Sequence, residues 1–233
     1  MNAARVPVAI RDAASVLLLR DGPDGGSPEV WMLTRVSQMV FVPGASVFPG
    51  GRVDDDDVAL PWSGRPASEF AAAFDCPVPL AHALVGAAVR ETFEETGVLL
   101  TRPAAALAHL QPEVEDGRLT FGELLTRHGL AIDGAAVLPW ARWVTPDLPD
   151  TQRRYDTRFF VAPLPEGAEA ADLTRESTTA GWITAGEALA SWQRGDRLLV
   201  GPTVAMLASI VDCRTVDEIV SRVPDRSLQA VRH

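Results

Sequence analysis

With 233 residues, 47% of them hydrophobic and 22% charged, the chain can bury the core of one large domain, or of one domain carrying an insertion. Its net charge of −10 excludes a general nucleic-acid binder, which needs a basic face. Arginine supplies every cationic side chain other than histidine, so a Walker A loop and Schiff-base chemistry on lysine are both excluded.

Taken in chain order, residues 13–20 (AASVLLLR) read as a buried strand, 21–28 as a Gly/Pro/Asp turn and 30–35 (VWMLTR) as the returning strand of a hairpin. The segment 41–51 (FVPGASVFPGG) is punctuated by Pro and Gly around a short strand near 46–48. An acidic run, 54–57, reads as a solvated loop, and a Pro/Ala/Ser-rich stretch follows it to 79. Residues 80–96 (LAHALVGAAVRETFEET) predict a helix, with Leu84, Ala87, Ala88 and Thr92 on one apolar stripe and Gly97 as its cap. Short helices follow at 104–110 and 121–128, then strands at 138–144, 158–162 and 181–184. Helices at 185–194, 203–211 and 216–222 close the chain, the last two packing on the same domain within 201–233. Strands and helices intermingle without βαβ alternation, and no repeat appears.

No apolar run reaches the length of a membrane span, and residues 1–5 show no signal-peptide core. Cys76 and Cys213 are far apart, so neither a metal-ligand pair nor a disulfide framework is expected, and a reducing compartment is the default. His82 and the tryptophans Trp31, Trp140, Trp143 and Trp182 are expected to be packing residues.

Glu91, Glu94 and Glu95 stand at i, i+3 and i+4, which a helix gathers on one face. Such carboxylates repel one another, and two of them lie in the last turn, where the helix dipole disfavours negative charge. A hard cation would remove both penalties, and carboxylate oxygens suit Mg²⁺ or Mn²⁺. Arg90 can hold one carboxylate in place by a forked contact. A solvated acidic helix end is the plain alternative.

The segment 90–98 (RETFEETGV) resembles the second half of the Nudix box, G-x5-E-x7-R-E-U-x-E-E-x-G-U, in which U is bulky and aliphatic. Arg90, Glu91, Glu94, Glu95 and Gly97 match its fixed letters, Val98 the final U, and Thr92 departs mildly at the first. Phe48-Pro49-Gly50-Gly51 resembles the FPGG that opens the box, and Asp57 falls where the pattern has glutamate. Arg90 lies 39 positions after Gly51 where the pattern has 14, which places an insertion of 25 residues at about 58–82. Such an insertion is similar to that of a Nudix subgroup that includes a peroxisomal coenzyme A diphosphatase. The segments 140–146 (WARWVTP) and 153–160 (RRYDTRFF) add to that likeness.

The resemblance implies an α/β/α sandwich around a mixed β-sheet, with a mainly helical insertion inside the box. It implies metal-dependent hydrolysis of the pyrophosphate of a nucleoside diphosphate linked to another moiety X. Glu94 and Glu95 would be the principal ligands of Mg²⁺ or Mn²⁺, Glu91 a ligand or base, and the Gly51 carbonyl would complete the shell. Arg90 would orient a glutamate. Asp57 could replace the box glutamate, Glu176 could add a late ligand, and Arg35 and Arg154 are candidate substrate-binding residues, with Arg153 beside them. The upstream coenzyme A signature is matched at Gly44-x3-Phe48-Pro49-Gly50-Gly51. Leu33-Thr34-Arg35 brings its first arginine one place early, and Val40 stands where the second belongs. Coenzyme A is thus one candidate substrate. A Nudix module that binds and senses a nucleotide such as ADP-ribose is the alternative. Nucleic acid and membrane are not expected partners, a homodimer is allowed, and residues 231–233 are no peroxisomal address of the S-K-L kind. The lysine-free composition suggests a bacterial cytoplasmic protein.

Overall fold

Along the first strand, β1 (Ile10–Arg20), alternate side chains serve two different cores. Ala14, Val16 and Leu18 enter one, while Leu17 and Leu19 enter the other. A strand buried on both faces must have layers on both sides. The computed structural model, which describes residues 8–36, 43–148, 152–174, 177–223 and 228–231, shows those layers.

The central sheet combines β1 with β2 (Glu29–Arg35), β3 (Ser46–Val47), β4 (Gly50–Arg52), β8 (Leu138–Val144), β9 (Arg154–Pro163) and β10 (Ser177–Thr184). Its order is β10-β2-β1-β9-β8, with β3 on β2 and β4 on β1. β1 and β9 run parallel, from Ile10 beside Arg154 to Leu19 beside Pro163, and the other pairings are antiparallel. The sheet is therefore mixed, as expected. On the outer edge of β8, the Val144 amide donates to the Val231 carbonyl and the Val231 amide to the Arg142 carbonyl.

One face carries α1 (Ala67–Phe74) and α2 (Val78–Thr96), with α3 (Gln111–Glu115) and α4 (Phe121–Arg127) beyond them. A small sheet, β5 (Trp62–Ser63), β6 (Thr101–Arg102) and β7 (Ala131–Asp133), borders this layer. The other face carries α5 (Ala185–Gln193), α6 (Gly201–Ala208) and α7 (Val216–Ser221). Residues 58–82 contain the end of a 3-10 turn (Asp55–Ala59), β5, α1 and the first turn of α2. Phe70 and Phe74 of α1 pack against Phe160 of β9, so this segment is anchored in the main core. Among the described residues no single helix is long and apolar enough to cross a membrane.

The helix expected at 104–110 is a correction. Only Ala108–Leu110 forms a 3-10 turn there, and the α-helix begins at Gln111. Pro112 explains the shift, because proline suits the first turn of a helix and its fixed φ favours initiation. The short strands β4, β5, β6 and β7 lack a readable alternation in the sequence and were not expected.

Candidate active site

Helix α2 ends against the β4 turn, and its last two turns carry the glutamates. Gly97 stops the helix in a left-handed conformation (φ 74°), its amide donating to the Phe93 carbonyl. Thr92, unusual at a bulky aliphatic position, is fully buried because its hydroxyl donates to the Ala88 carbonyl one turn back (2.7 Å).

Arg90 is the hub. One terminal nitrogen donates to Glu91 Oε1 at 2.8 Å and to Glu94 Oε2 at 3.3 Å. Its Nε and other terminal nitrogen grip both oxygens of Asp57 at 2.9 and 3.0 Å, and the latter also reaches the Arg52 carbonyl at 2.9 Å. The guanidinium thus ties helix to turn, and orienting glutamates is what its contacts can do.

Asp57 is a second correction. The acidic run is not wholly a solvated loop: Asp57 is 1% exposed, while Asp54, Asp55 and Asp56 are exposed. Its carboxylate accepts from the Asp54 amide (2.8 Å) in a reciprocal N-terminal cap of the 3-10 turn and pairs with Arg90. Its shorter side chain reaches Arg90 because the turn lies almost on α2. A Cβ at Gly86, one helical turn before Arg90, would come within 2.6 Å of the Asp57 carbonyl oxygen. The glycine in the middle of an otherwise strong helix was the readable signal of that close approach.

The three glutamates do not face one way. Glu91 and Glu94 line a cavity, whereas Glu95 is 7% exposed and accepts from the Gly50 amide (3.0 Å), fastening β4 to the helix. Helical rotation accounts for this: successive residues are about 100° apart, so Glu94 and Glu95 diverge while both flank Glu91. Glu91 lies directly over Gly51, where a Cβ would overlap its carboxylate. Only glycine allows this approach.

A divalent cation suits this set. The donors near Gly51 are all oxygens, the preference of Mg²⁺ and Mn²⁺, and the backbone is bare of side chain where the carboxylate meets it. Among the described residues, no three His, Cys, Asp or Glu side chains converge as a finished metal shell. Arg90 and the Gly50 amide draw them to separate partners instead. Burial of the carboxylates disfavours their charged form. Burial pushes the Glu94 carboxyl up, the Glu91 charge adds to it and Arg90 opposes both, leaving it at about 7. Burial also raises Glu91, against the pull of Arg90. Arg90 loses hydration, but its pairing with Asp57, Glu91 and Glu94 outweighs that and stabilises its charge.

The cavity above the glutamates measures about 810 Å³. Arg35, Arg52 and Arg153 line it, as do Trp143 and Tyr155, and the N-terminus of α6 closes one side. Arg35, a candidate substrate-binding residue, is one of the cavity's lining residues. Arg154 does not line it; its Nε donates to the Thr145 carbonyl (3.0 Å) and its guanidinium lies 3.6 Å from Asp147. Its neighbour Arg153 takes the cavity position, because strand alternation turns successive side chains apart. His82 packs on the Trp62 ring (centroids 4.6 Å apart), and Trp31 and Trp140 are core. Glu176 lies outside the described residues.

A family model described as the NUDT19 Nudix domain matches residues 63–210. The chain is 27% identical to acyl-coenzyme A diphosphatase NUDT19 of Gallus gallus, the match covering 94% of this chain and 72% of that protein. To the protein of the same name from Xenopus laevis it is 25% identical, over 86% of this chain and 64% of that one, so it spans less than two thirds of the frog protein. Among solved structures, a Nudix hydrolase from Alicyclobacillus acidocaldarius superposes with a TM-score of 0.74 at 29% identity, covering 92% of this chain and 96% of the other.

Proposed function

The chain belongs to the Nudix family and is a Nudix pyrophosphohydrolase, and from that premise we propose that it cleaves the diphosphate of coenzyme A or an acyl derivative with the help of Mg²⁺ or Mn²⁺. The observation that carries the metal site is the contact of Glu91 with the bare backbone of Gly51, beside Glu94 at the floor of an arginine-lined cavity. A divalent cation there supplies charge neutralisation for the diphosphate and eases deprotonation of water. Glu91, Glu94, Glu95 and the Gly51 carbonyl are the residues that would hold it.

The rest of the chemistry belongs to side chains. Arg90 holds Glu91 and Glu94 in register, and Asp57 keeps Arg90 from swinging toward substrate. Glu91 and Glu94 face the cavity and are the candidates to accept a proton from the attacking water. Arg35, Arg52 and Arg153 bind phosphate oxygens, and arginine suits such planar, forked recognition. The coenzyme A preference is supported by the named activity of the chicken and frog relatives.

The test is a cleavage panel of coenzyme A, an acyl-coenzyme A, ADP-ribose and NADH, with Mg²⁺ or Mn²⁺ and again with chelator. Cleavage of the coenzyme A compounds to 4′-phosphopantetheine (or its acyl form) and adenosine 3′,5′-bisphosphate, abolished by chelator, is the expected result. Preference for ADP-ribose or NADH would overturn the substrate, and undiminished turnover in chelator would overturn the metal.

A further inference from the structure

Asp54, Arg90 and Glu94 line not one cavity but two. The second, about 720 Å³, opens on the other side of these residues, between residues 54–61 and the α3–α4 layer. Each volume is of the size that holds a small-molecule ligand, and a bond cleaved beside Glu94 would lie where they meet.

Their linings differ in kind. Among the described residues, and apart from the shared ones, the first cavity's cationic side chains are Arg35, Arg52 and Arg153 against the carboxylate of Glu91, and Trp143 and Tyr155 offer aromatic surface. Among the same described residues, the second has Asp56, Asp57 and Glu123 against Arg127, over an apolar floor that includes Leu60, Val114, Leu119 and Phe121. Arg127 lies 3.7 Å from Glu123, and Asp57 is committed to Arg90, so little positive charge remains for a ligand there. A phosphate group placed deep in the second cavity would meet carboxylates across an apolar wall, an arrangement that costs energy on both counts. An uncharged arm with amide groups and methylenes meets no such penalty: the rim offers acceptors for its N–H groups and the floor takes its apolar length.

We propose that the substrate is divided between the two cavities. The anionic nucleotide half lies in the arginine-lined cavity, and the uncharged arm of X lies in the acidic-rimmed, apolar one walled by residues 54–61 and α3–α4. This rests on the diphosphatase reading above and adds to it a pocket that selects X. It gives the segment that interrupts the box a task, since Ala59, Leu60 and Pro61 form part of that wall.

Gly122 provides the probe. It lies in the first turn of α4 on the second cavity, and among the described residues outside its own helical turn a Cβ built there comes within 4 Å of Leu60 Cδ2 alone, at 3.4 Å. Gly122→Leu therefore fills the cavity, and Thr126→Phe, from the next turn of the same helix, repeats the test should the first variant fold poorly. Binding of 4′-phosphopantetheine and of adenosine 3′,5′-bisphosphate to the full chain in Mg²⁺ is measured by calorimetry. Gly122→Leu and Thr126→Phe are expected to weaken phosphopantetheine by about tenfold or more and the bisphosphate by less than about twofold, with Arg153→Ala doing the reverse. Equal effects on both halves, an unchanged phosphopantetheine affinity in both cavity-filling variants, or no binding of phosphopantetheine to the wild type would overturn the division. If the halves separate as stated but intact coenzyme A is not cleaved, the division stands and the substrate reading falls. If coenzyme A is cleaved and the variants do not discriminate, the reverse holds.

Discussion

The two halves of α2 are buried to similar extents by opposite means. After its exposed first turn and apart from His82, the helix is apolar up to Val89, and Leu84, Val85, Ala87, Ala88 and Val89 are all at 0% exposure. From Arg90 to Thr96 it carries one guanidinium and three carboxylates, yet Glu95 is only 7% exposed, and burial raises Glu91 and Glu94. The first half gains from leaving water. The second half loses hydration, and Arg90, Asp57 and the Gly50 amide make good only part of that loss. Within one helix, stability and chemistry are thus assigned to adjacent turns.

Substitutions can break this contrast. Glu94→Gln is expected to lower turnover with Mg²⁺ by about 10²- to 10³-fold, the scale for removing a group that serves transition-state charge. Its thermal midpoint should stay at or above that of the wild type, because a neutral amide is cheaper to bury than a carboxylate. Turnover within a few-fold of wild type would remove Glu94 from the machinery. Leu84→Ala should show the opposite signature, a loss of about 2 to 5 kcal/mol in urea unfolding with turnover per folded molecule unchanged.

A smaller effect sharpens the comparison through pH. The folded-state pKa of Glu94 is raised from 4.5 to about 7. Its contribution to stability is therefore fully present below pH 4.5 and is lost as pH rises through about 7. The loss is at most about 3 kcal/mol, and less in practice because the side chain remains partly exposed. Urea unfolding of metal-free protein from pH 4.5 to 8 should show this decline, and Glu94→Gln should flatten it. An identical slope in both proteins would show that Glu94 does not titrate as described.

Much of this was legible because it is local. The hairpin, α2 and its glycine stop follow from periodicity and caps over a few residues. The Arg90–Glu94 contact follows from i, i+4 helical spacing. Glu95 departs from its fellows because its partner, the Gly50 amide, comes from another element. The acidic run reads as solvated because the trace of Asp57's burial, Gly86 in mid-helix, lies far from it in sequence and only the fold brings the two together. Arg153 and Arg154 were inseparable without the strand's phase. The second cavity is built from three segments distant in sequence, and no local pattern encodes a shared wall.

The parallel pairing of β1 with β9 has a consequence for how the molecule is made. The early strand has a partner on only one long flank until residues 154–163 have been synthesised, and β4, with the Gly50–Gly51 backbone, is mounted on that same early strand. Long-range pairing of this kind is slow to form. The nascent chain therefore carries an apolar, half-paired strand through most of its synthesis, and chaperone dependence should be concentrated in that interval.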